Sequence, residues 1–236
     1  MSDSKPSPVH RRRLRDVWRS AGWPCQDEVE IELLAGGWLE RVRGPLGHET
    51  LRVTDAGVCL LAETLARNRA RRDAHEALVL RVAREMTRAG RIAWRGLALR
   101  AKVGETWAMA MPDVFSVRNS SVEAYLEPRV HEVKVHRADL LSDLRSANKR
   151  AAYLQLSSEC WYVIRAGIAR AEEIPPECGV LVATEDALDV ARPAPKRAMQ
   201  MPLQVWIALA RATPLEGWQD DAAQGWLGDT VGAVDD

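Results

Sequence analysis

The chain has 236 residues, with 33 Lys and Arg against 33 Asp and Glu, 47% hydrophobic and 28% charged residues. That leaves room for one large domain, or a medium and a small one, with enough apolar residues to bury a core, and a bulk charge that selects neither a polyanion nor an acidic partner. No apolar run approaches the roughly 18 residues of a membrane span, and the N-terminal MSDSKPSPVHRRRLR carries no apolar stretch behind its charges, so the reading is a globular cytoplasmic protein with no membrane partner. Cys25, Cys59, Cys160 and Cys178 are widely spaced, with no CxxC pair, and read as buried thiols rather than a zinc knuckle or disulfide framework. Charge is graded along the chain: residues 1–72 hold 13 basic and 10 acidic residues, residues 73–211 hold 20 and 17, and the stretch 212–236 holds six acids and no base. The last stretch reads as an acidic C-terminal tail.

From the N-terminus, residues 11–20 and 26–35 read as short helices, the second closed by Gly36-Gly37. Trp38–Arg43 and Glu49–Thr54 flank the turn-rich Gly44-Pro45-Leu46-Gly47-His48 and read as a hairpin. Thr54 or Asp55 can cap a further helix, in which Val58, Leu61, Ala62 and Leu65 form one apolar face through about Asn68. The order helix, helix, hairpin, helix, with Val53-Thr54-Asp55-Ala56-Gly57 after the hairpin, resembles the winged helix-turn-helix domain over residues 8–72. In that resemblance the helix before the wing would enter a major groove, yet it carries Asp27, Glu28, Glu30 and Glu32, which phosphates would repel. Arg11, Arg12, Arg13 and Arg15, or Arg41, Arg43 and Arg52, are better DNA contacts, and protein contact or plain scaffolding is an equal alternative.

The run Arg67-Asn68-Arg69-Ala70-Arg71-Arg72 lacks an apolar stripe, and Asp73 can cap a new helix, so the chain divides into 1–72, 73–211 and the tail 212–236. A helix over 74–89 has Val79, Val82, Ala83 and Met86 on one face, with Glu76 three residues ahead on the same stripe. Met111–Val117 and Val130–Val135 have strand composition and are separated by the turn-prone 119–128, so they can pair. Alternation then sets Glu132 and Lys134 on one face and Val133 and Val135 on the other, packed one. If Asp113 lies opposite Glu132, two carboxylates and an ammonium converge. Two carboxylates, the Val133 carbonyl and waters make the oxygen-rich sphere magnesium prefers, and such an ion activates water beside a phosphodiester. Farther on, Leu144, Ala147, Ala151 and Leu154 read as the apolar stripe of a helix that leaves Lys149, Arg150 and Tyr153 on other faces. Residues 160–164 and 179–183 read as buried strands, and 202–210 as a short helix docked on the core.

Pro112-Asp113 followed by Glu132-Val133-Lys134, after a helix bearing Glu76 and before one with Lys149 and Tyr153, resembles the PD-(D/E)xK nuclease superfamily. The text HEVKVHRADLLSDLRSANKRAAYLQLSSECWYVI is similar to its MmcB-type DNA-repair branch, over residues 73–195. The resemblance implies an α/β fold with a restriction-endonuclease-like mixed sheet flanked by helices. It implies a magnesium- or manganese-dependent nuclease hydrolysing DNA in repair, processing or defence. Asp113 and Glu132 would be metal ligands, Lys134 the catalytic base or electrostatic stabiliser, and Glu76 an additional ligand. Lys149, Arg150 and Tyr153 would contact nucleic acid. RNA stays open as a substrate, and a double-strand cut would favour a homodimer. The competing reading is a DNA-binding or regulatory protein on a catalytically inactive nuclease-like scaffold.

Overall fold

The computed structural model describes residues 6–216. The chain divides into two units, Met1–Asp73 and Ala74–Asp236. The first contains α1 (Pro8–Arg19), α2 (Glu28–Ala35), β1 (Leu39–Arg43), β2 (Glu49–Val53) and the start of α3 (Asp55–Arg88). Each start has a local cause. Pro8 opens α1 behind Ser7, whose hydroxyl accepts the His10 N–H, and Asp27 caps α2 by accepting the Glu30 N–H at 2.9 Å. Thr54 Oγ1 accepts the Gly57 N–H at 3.2 Å and so begins α3. The strands pair antiparallel from Leu39↔Val53 to Arg43↔Glu49, and Leu14, Val17, Leu33, Leu39, Leu51 and Leu61 form the core of this unit.

The acids of α2 have internal employment. Asp27 pairs with Arg13 at 2.6 Å, Glu32 with His10, and the fully buried Glu30 accepts the N–H groups of Cys25 and Gln26 at 2.6 and 2.8 Å, with Arg41 3.3 Å away. Their charge organises the turn before the helix.

The sequence reading divides α3 into two helices at Arg72; the structure has one helix of 34 residues. The physical reason is that no Gly or Pro interrupts the stretch from Val58 to Ala89, and its Ala, Arg, Leu and Glu residues have high helix propensity. A break in the apolar stripe does not break the backbone hydrogen bonds. The helix stops before Gly90, which takes φ +75°.

The second unit continues with β3 (Arg91–Arg95), β4 (Leu99–Val103), β5 (Thr106–Ala110), β6 (Val114–Arg118), β7 (Arg129–Lys134), α4 (Arg137–Leu144), α5 (Ala147–Leu156), β8 (Glu159–Arg165), β9 (Gly179–Ala183), β10 (Leu188–Arg192) and α6 (Leu203–Arg211). It is an α/β architecture built on a six-stranded mixed sheet of order β10-β9-β8-β7-β6-β3. The central strands β7, β8 and β9 run parallel; β3, β6 and β10 pair antiparallel with their neighbours. β4 and β5 form a separate hairpin that packs on α5. Both sheet faces are covered, as parallel strands require. Leu78, Val79, Val82 and Ala83 of α3 pack on Val114, Val133, Val135, Val163 and Leu181. On the other face Phe115, Val130, Tyr162 and Ile164 meet Tyr153 and Leu156 of α5 and Val205 and Leu209 of α6.

Several expectations are corrected here. β3, β4, β5 and β10 have no counterpart in the sequence reading, and β6 starts at Val114 rather than Met111. The helix read through Leu144 and Leu154 is two helices, α4 and α5, parted at Arg145-Ser146. Only Cys160 and Cys178 are buried; Cys25 and Cys59 are exposed. Most of the acidic tail lies outside the described residues. Among the described residues no helix is long and apolar enough to cross a membrane.

Candidate functional site

The chemistry-bearing residues gather where β6 and β7 meet beneath α5. Val114 pairs with His131, so Asp113, one residue earlier, has its ladder place opposite Glu132. Its carboxylate reaches across: Asp113 Oδ2 accepts the Val133 N–H at 2.7 Å. Strand alternation sends Glu132 and Lys134 to the α5 face and Val133 and Val135 to the α3 face. The α5 face is packed, not open: the Glu132 side chain is 3% exposed and that of Asp113 20%.

Glu132 is held on both oxygens. Oε1 accepts from Lys134 Nζ at 2.5 Å and from Lys149 Nζ at 2.6 Å, while Oε2 accepts from the Tyr153 hydroxyl at 2.7 Å. Asp143 on α4 completes the arrangement: Oδ1 accepts from Lys149 at 2.6 Å and lies 3.5 Å from Lys134, and Oδ2 accepts from the Tyr162 hydroxyl at 2.7 Å. Tyr162 stands beside Glu132 in the parallel β7–β8 register. Burial works against the charged form of Asp143, yet the Lys149 hydrogen bond, Lys134 and Tyr162 together hold its carboxyl below the usual range. Lys149 loses hydration by burial, but Glu132 and Asp143 raise its pKa nonetheless. Burial, then the Glu132 charge, pushes the Tyr153 phenol upward, so it serves as a hydrogen-bond donor.

At the edge of this cluster His75 Nε2 lies 3.5 Å from Asp113 Oδ2, and Nδ1 lies 3.6 Å from Glu76 Oε1. Its hydrogen bond to Asp113 raises the imidazole pKa against the opposing effect of burial. Glu76 itself is on the exposed face, 66% accessible, so the acid read on a core-facing stripe is not where the pattern set it. Leu78, omitted from that stripe, is the cause: with it the apolar face centres on 75, 78, 79 and 82, and turns residue 76 outward.

Tyr153 and Arg150 also need correction as nucleic-acid contacts. Tyr153 is fully buried, and the Arg150 guanidinium is engaged with Glu177 at 3.0 Å and the Leu144 carbonyl at 3.1 Å. The inward face of α5 is Lys149, Ala152, Tyr153 and Leu156, and the Lys149 ammonium lies 5.4 Å from the Tyr153 ring centroid. The predicted stripe crosses the α4–α5 break. Asp143 and His75 were missed altogether; the signal for His75 was its place four residues before Val79. His131 is buried and stacks on Trp161, with its pKa lowered to about 3 by burial, as suits a neutral packing residue rather than a ligand.

Among the described residues no group of three or more His, Cys, Asp or Glu side chains is placed to share an ion. Magnesium does not need one: it keeps most of its waters and is commonly held by one or two carboxylates together with substrate phosphates. The hard oxygens of Asp113 and Glu132, with the Val133 carbonyl, match that donor chemistry. A cavity of about 790 Å³ in the same unit is lined by Arg95, Arg100 and Arg211, and Gly96 on its wall donates its N–H to the Asp113 carbonyl at 3.4 Å.

No family model and no curated protein matches the chain. Among solved structures, a protein of unknown function from Silicibacter pomeroyi aligns with a TM-score of 0.40 and 21% identity over 61% of this chain and 83% of that one. A likeness at that level carries no functional argument.

Proposed function

We propose that the second unit is a restriction-endonuclease-like nuclease domain that hydrolyses DNA phosphodiester bonds with magnesium or manganese, in repair, processing or defence. The observation that carries this reading is the register that sets Asp113 opposite Glu132, with Asp113 Oδ2 on the Val133 N–H at 2.7 Å and Lys134 Nζ 2.5 Å from Glu132. Asp113, Glu132 and the Val133 carbonyl would hold the ion. When bound, it would supply charge for the phosphodiester oxygens and an activated water. Lys134 acts as the fixed positive charge beside the reacting phosphorus, and Tyr153 fixes the rotamer of Glu132. Lys149, the more accessible ammonium, turns from Glu132 and Asp143 toward substrate phosphate. Arg95, Arg100 and Arg211 line the route for the strand. The first unit, two helices, a hairpin and a third helix, is taken as a winged helix. The active species is a cytoplasmic protein, and a homodimer where both strands are cut.

The test is cleavage of plasmid and labelled oligonucleotides with and without divalent metal. The wild type cleaves only with metal, and Asp113→Asn and Lys134→Ala each lose at least about 100-fold while melting as folded proteins. Metal-dependent cleavage undiminished in both variants would overturn the assignment.

One observation favours a second reading. Glu132 is nearly inaccessible and both its oxygens are bonded by the chain's own donors, as suits a nuclease-like scaffold that binds or regulates DNA without turnover. Wild-type DNA binding with no cleavage at any magnesium or manganese concentration would select it.

A further inference from the structure

The first unit contains a cavity of about 380 Å³ whose charged lining is entirely basic: Arg11 and Arg15 from α1, Arg67 and Arg71 from α3, with Thr64 and Asn68 between them. Each helix contributes an i, i+4 pair, so two guanidiniums stacked one turn apart face two others across the hollow. No acid lines it. Among the described residues none of the four guanidiniums has an ion-pair or hydrogen-bond partner. This contrasts with Arg13 on the same helix, which is bidentate to Asp27 at 2.6 and 3.1 Å. Arg11 Nε is moreover a buried N–H without an acceptor. A buried donor such as Arg11 Nε is ordinarily paired, and like charges one turn apart repel, so these four guanidiniums, two half-buried on α1 and two exposed on α3, gathered with no counter-charge among the described residues, form the protein half of an anion site. The Thr64 hydroxyl is turned away, donating to the Leu60 carbonyl at 2.8 Å, which leaves the guanidinium forks as the recognising groups.

We propose that this cavity grips the phosphate backbone of a nucleic-acid strand. Guanidinium forks match phosphate oxygens bidentately, and two pairs one turn apart suit neighbouring phosphates better than a single carboxylate. The choice of nucleic acid over a small polyphosphate rests on the nuclease reading of the second unit. The site replaces the α2 face, whose acids are committed internally, as the DNA-holding surface of the first unit. It absorbs the basic run after Leu65, which is part of α3 rather than a linker.

The experiment is fluorescence anisotropy of the full chain with a labelled single strand of about 20 nucleotides and its duplex, in EDTA, over about 50 to 200 mM salt. Arg11→Gln with Arg67→Gln is compared with Arg19→Gln with Arg69→Gln, which removes the same charge from exposed positions of the same helices outside the cavity. The cavity variant binds at least about tenfold more weakly and its log–log salt slope is shallower by about 1.4 to 1.8, as expected for two lost phosphate contacts. The control stays within about threefold of wild type, and matched melting curves establish that both variants are folded. Equal behaviour of the two double variants, or wild-type protein that binds neither DNA, overturns the proposal. So does calorimetric binding of inorganic pyrophosphate by a protein that ignores DNA. Because EDTA removes catalysis from the measurement, a failed nuclease assignment leaves a positive result standing, and retained hydrolysis beside a silent cavity variant sinks this proposal alone.

Discussion

The Tyr153 hydroxyl lies 2.7 Å from Glu132 Oε2 and 3.1 Å from the Met111 carbonyl, joining α5 to β7 and to the segment leading into β6. Tyr153→Phe keeps the ring in the core and leaves a buried carboxylate oxygen without its donor. The expected cost is about 1–3 kcal/mol, read from urea denaturation. A loss below about 0.5 kcal/mol would mean that water replaces the phenol and that Glu132 is less enclosed than its 3% exposure implies.

Lys149 bridges Glu132 and Asp143, with Lys134 as the second ammonium in the cluster. Lys149→Met therefore removes one of two compensating charges. Because the Lys149 side chain is one-third exposed, the expected loss is about 1–3 kcal/mol rather than the larger penalty of a fully buried pair. Adding Asp143→Asn recovers part of that loss. A double-mutant cycle with a coupling energy under about 0.5 kcal/mol would show the bridge to be energetically silent.

Gly57 separates propensity from packing. In an open helix, replacing Gly with Ala stabilises by about 1 kcal/mol. Here a Cβ would stand 2.3 Å from the Trp38 carbonyl oxygen and 2.6 Å from Val53 Cγ1. A backbone atom cannot yield as a side chain does, so overpacking of about 1–3 kcal/mol wins and Gly57→Ala lowers the melting temperature. A raised melting temperature would refute the close approach of the Trp38 backbone to α3.

Glu173 pairs with Arg137 at 2.8 Å, and that guanidinium, helped by the Arg170 N–H, holds its carboxyl down at about 2. A carboxyl lowered on folding adds stability that is complete above its unfolded value and is lost as pH falls through the folded one. The melting temperature of Glu173→Gln should thus lie below wild type at neutral pH and converge with it as pH falls from about 4.5 toward 2. A constant gap across that range would contradict the pairing.

Legibility followed the range of the physics. Alternation in Val130–Val135 reported the two faces of β7 because side-chain direction in a strand is a local property. The pairing of β6 with β7 was readable from two apolar segments joined by a turn. β4 and β5 are absent from the sequence reading although LRAKV alternates apolar and charged residues ahead of the Gly104 turn; each segment is five residues long, TWAMA carries little pattern, and their hairpin is stabilised by contact with α5, which no local pattern records. Glu76 and Tyr153 were misplaced for a different reason: a helical stripe drawn one residue off swings a side chain by about 100°. Asp143 joins the site only because α4 turns back after β7, a tertiary fact. Lys149, read as facing a substrate, is engaged by acids that no spacing rule announces.

The paired ammoniums around Glu132 and Asp143 have a consequence for how the chain matures. A carboxylate cluster that must await an ion before it can be buried makes folding hostage to supply; this one arrives with its neutralising partners in the same polypeptide. The sheet should assemble and melt cooperatively in chelator, so that an ion bound as proposed would add stability to a finished domain rather than be a step in building it.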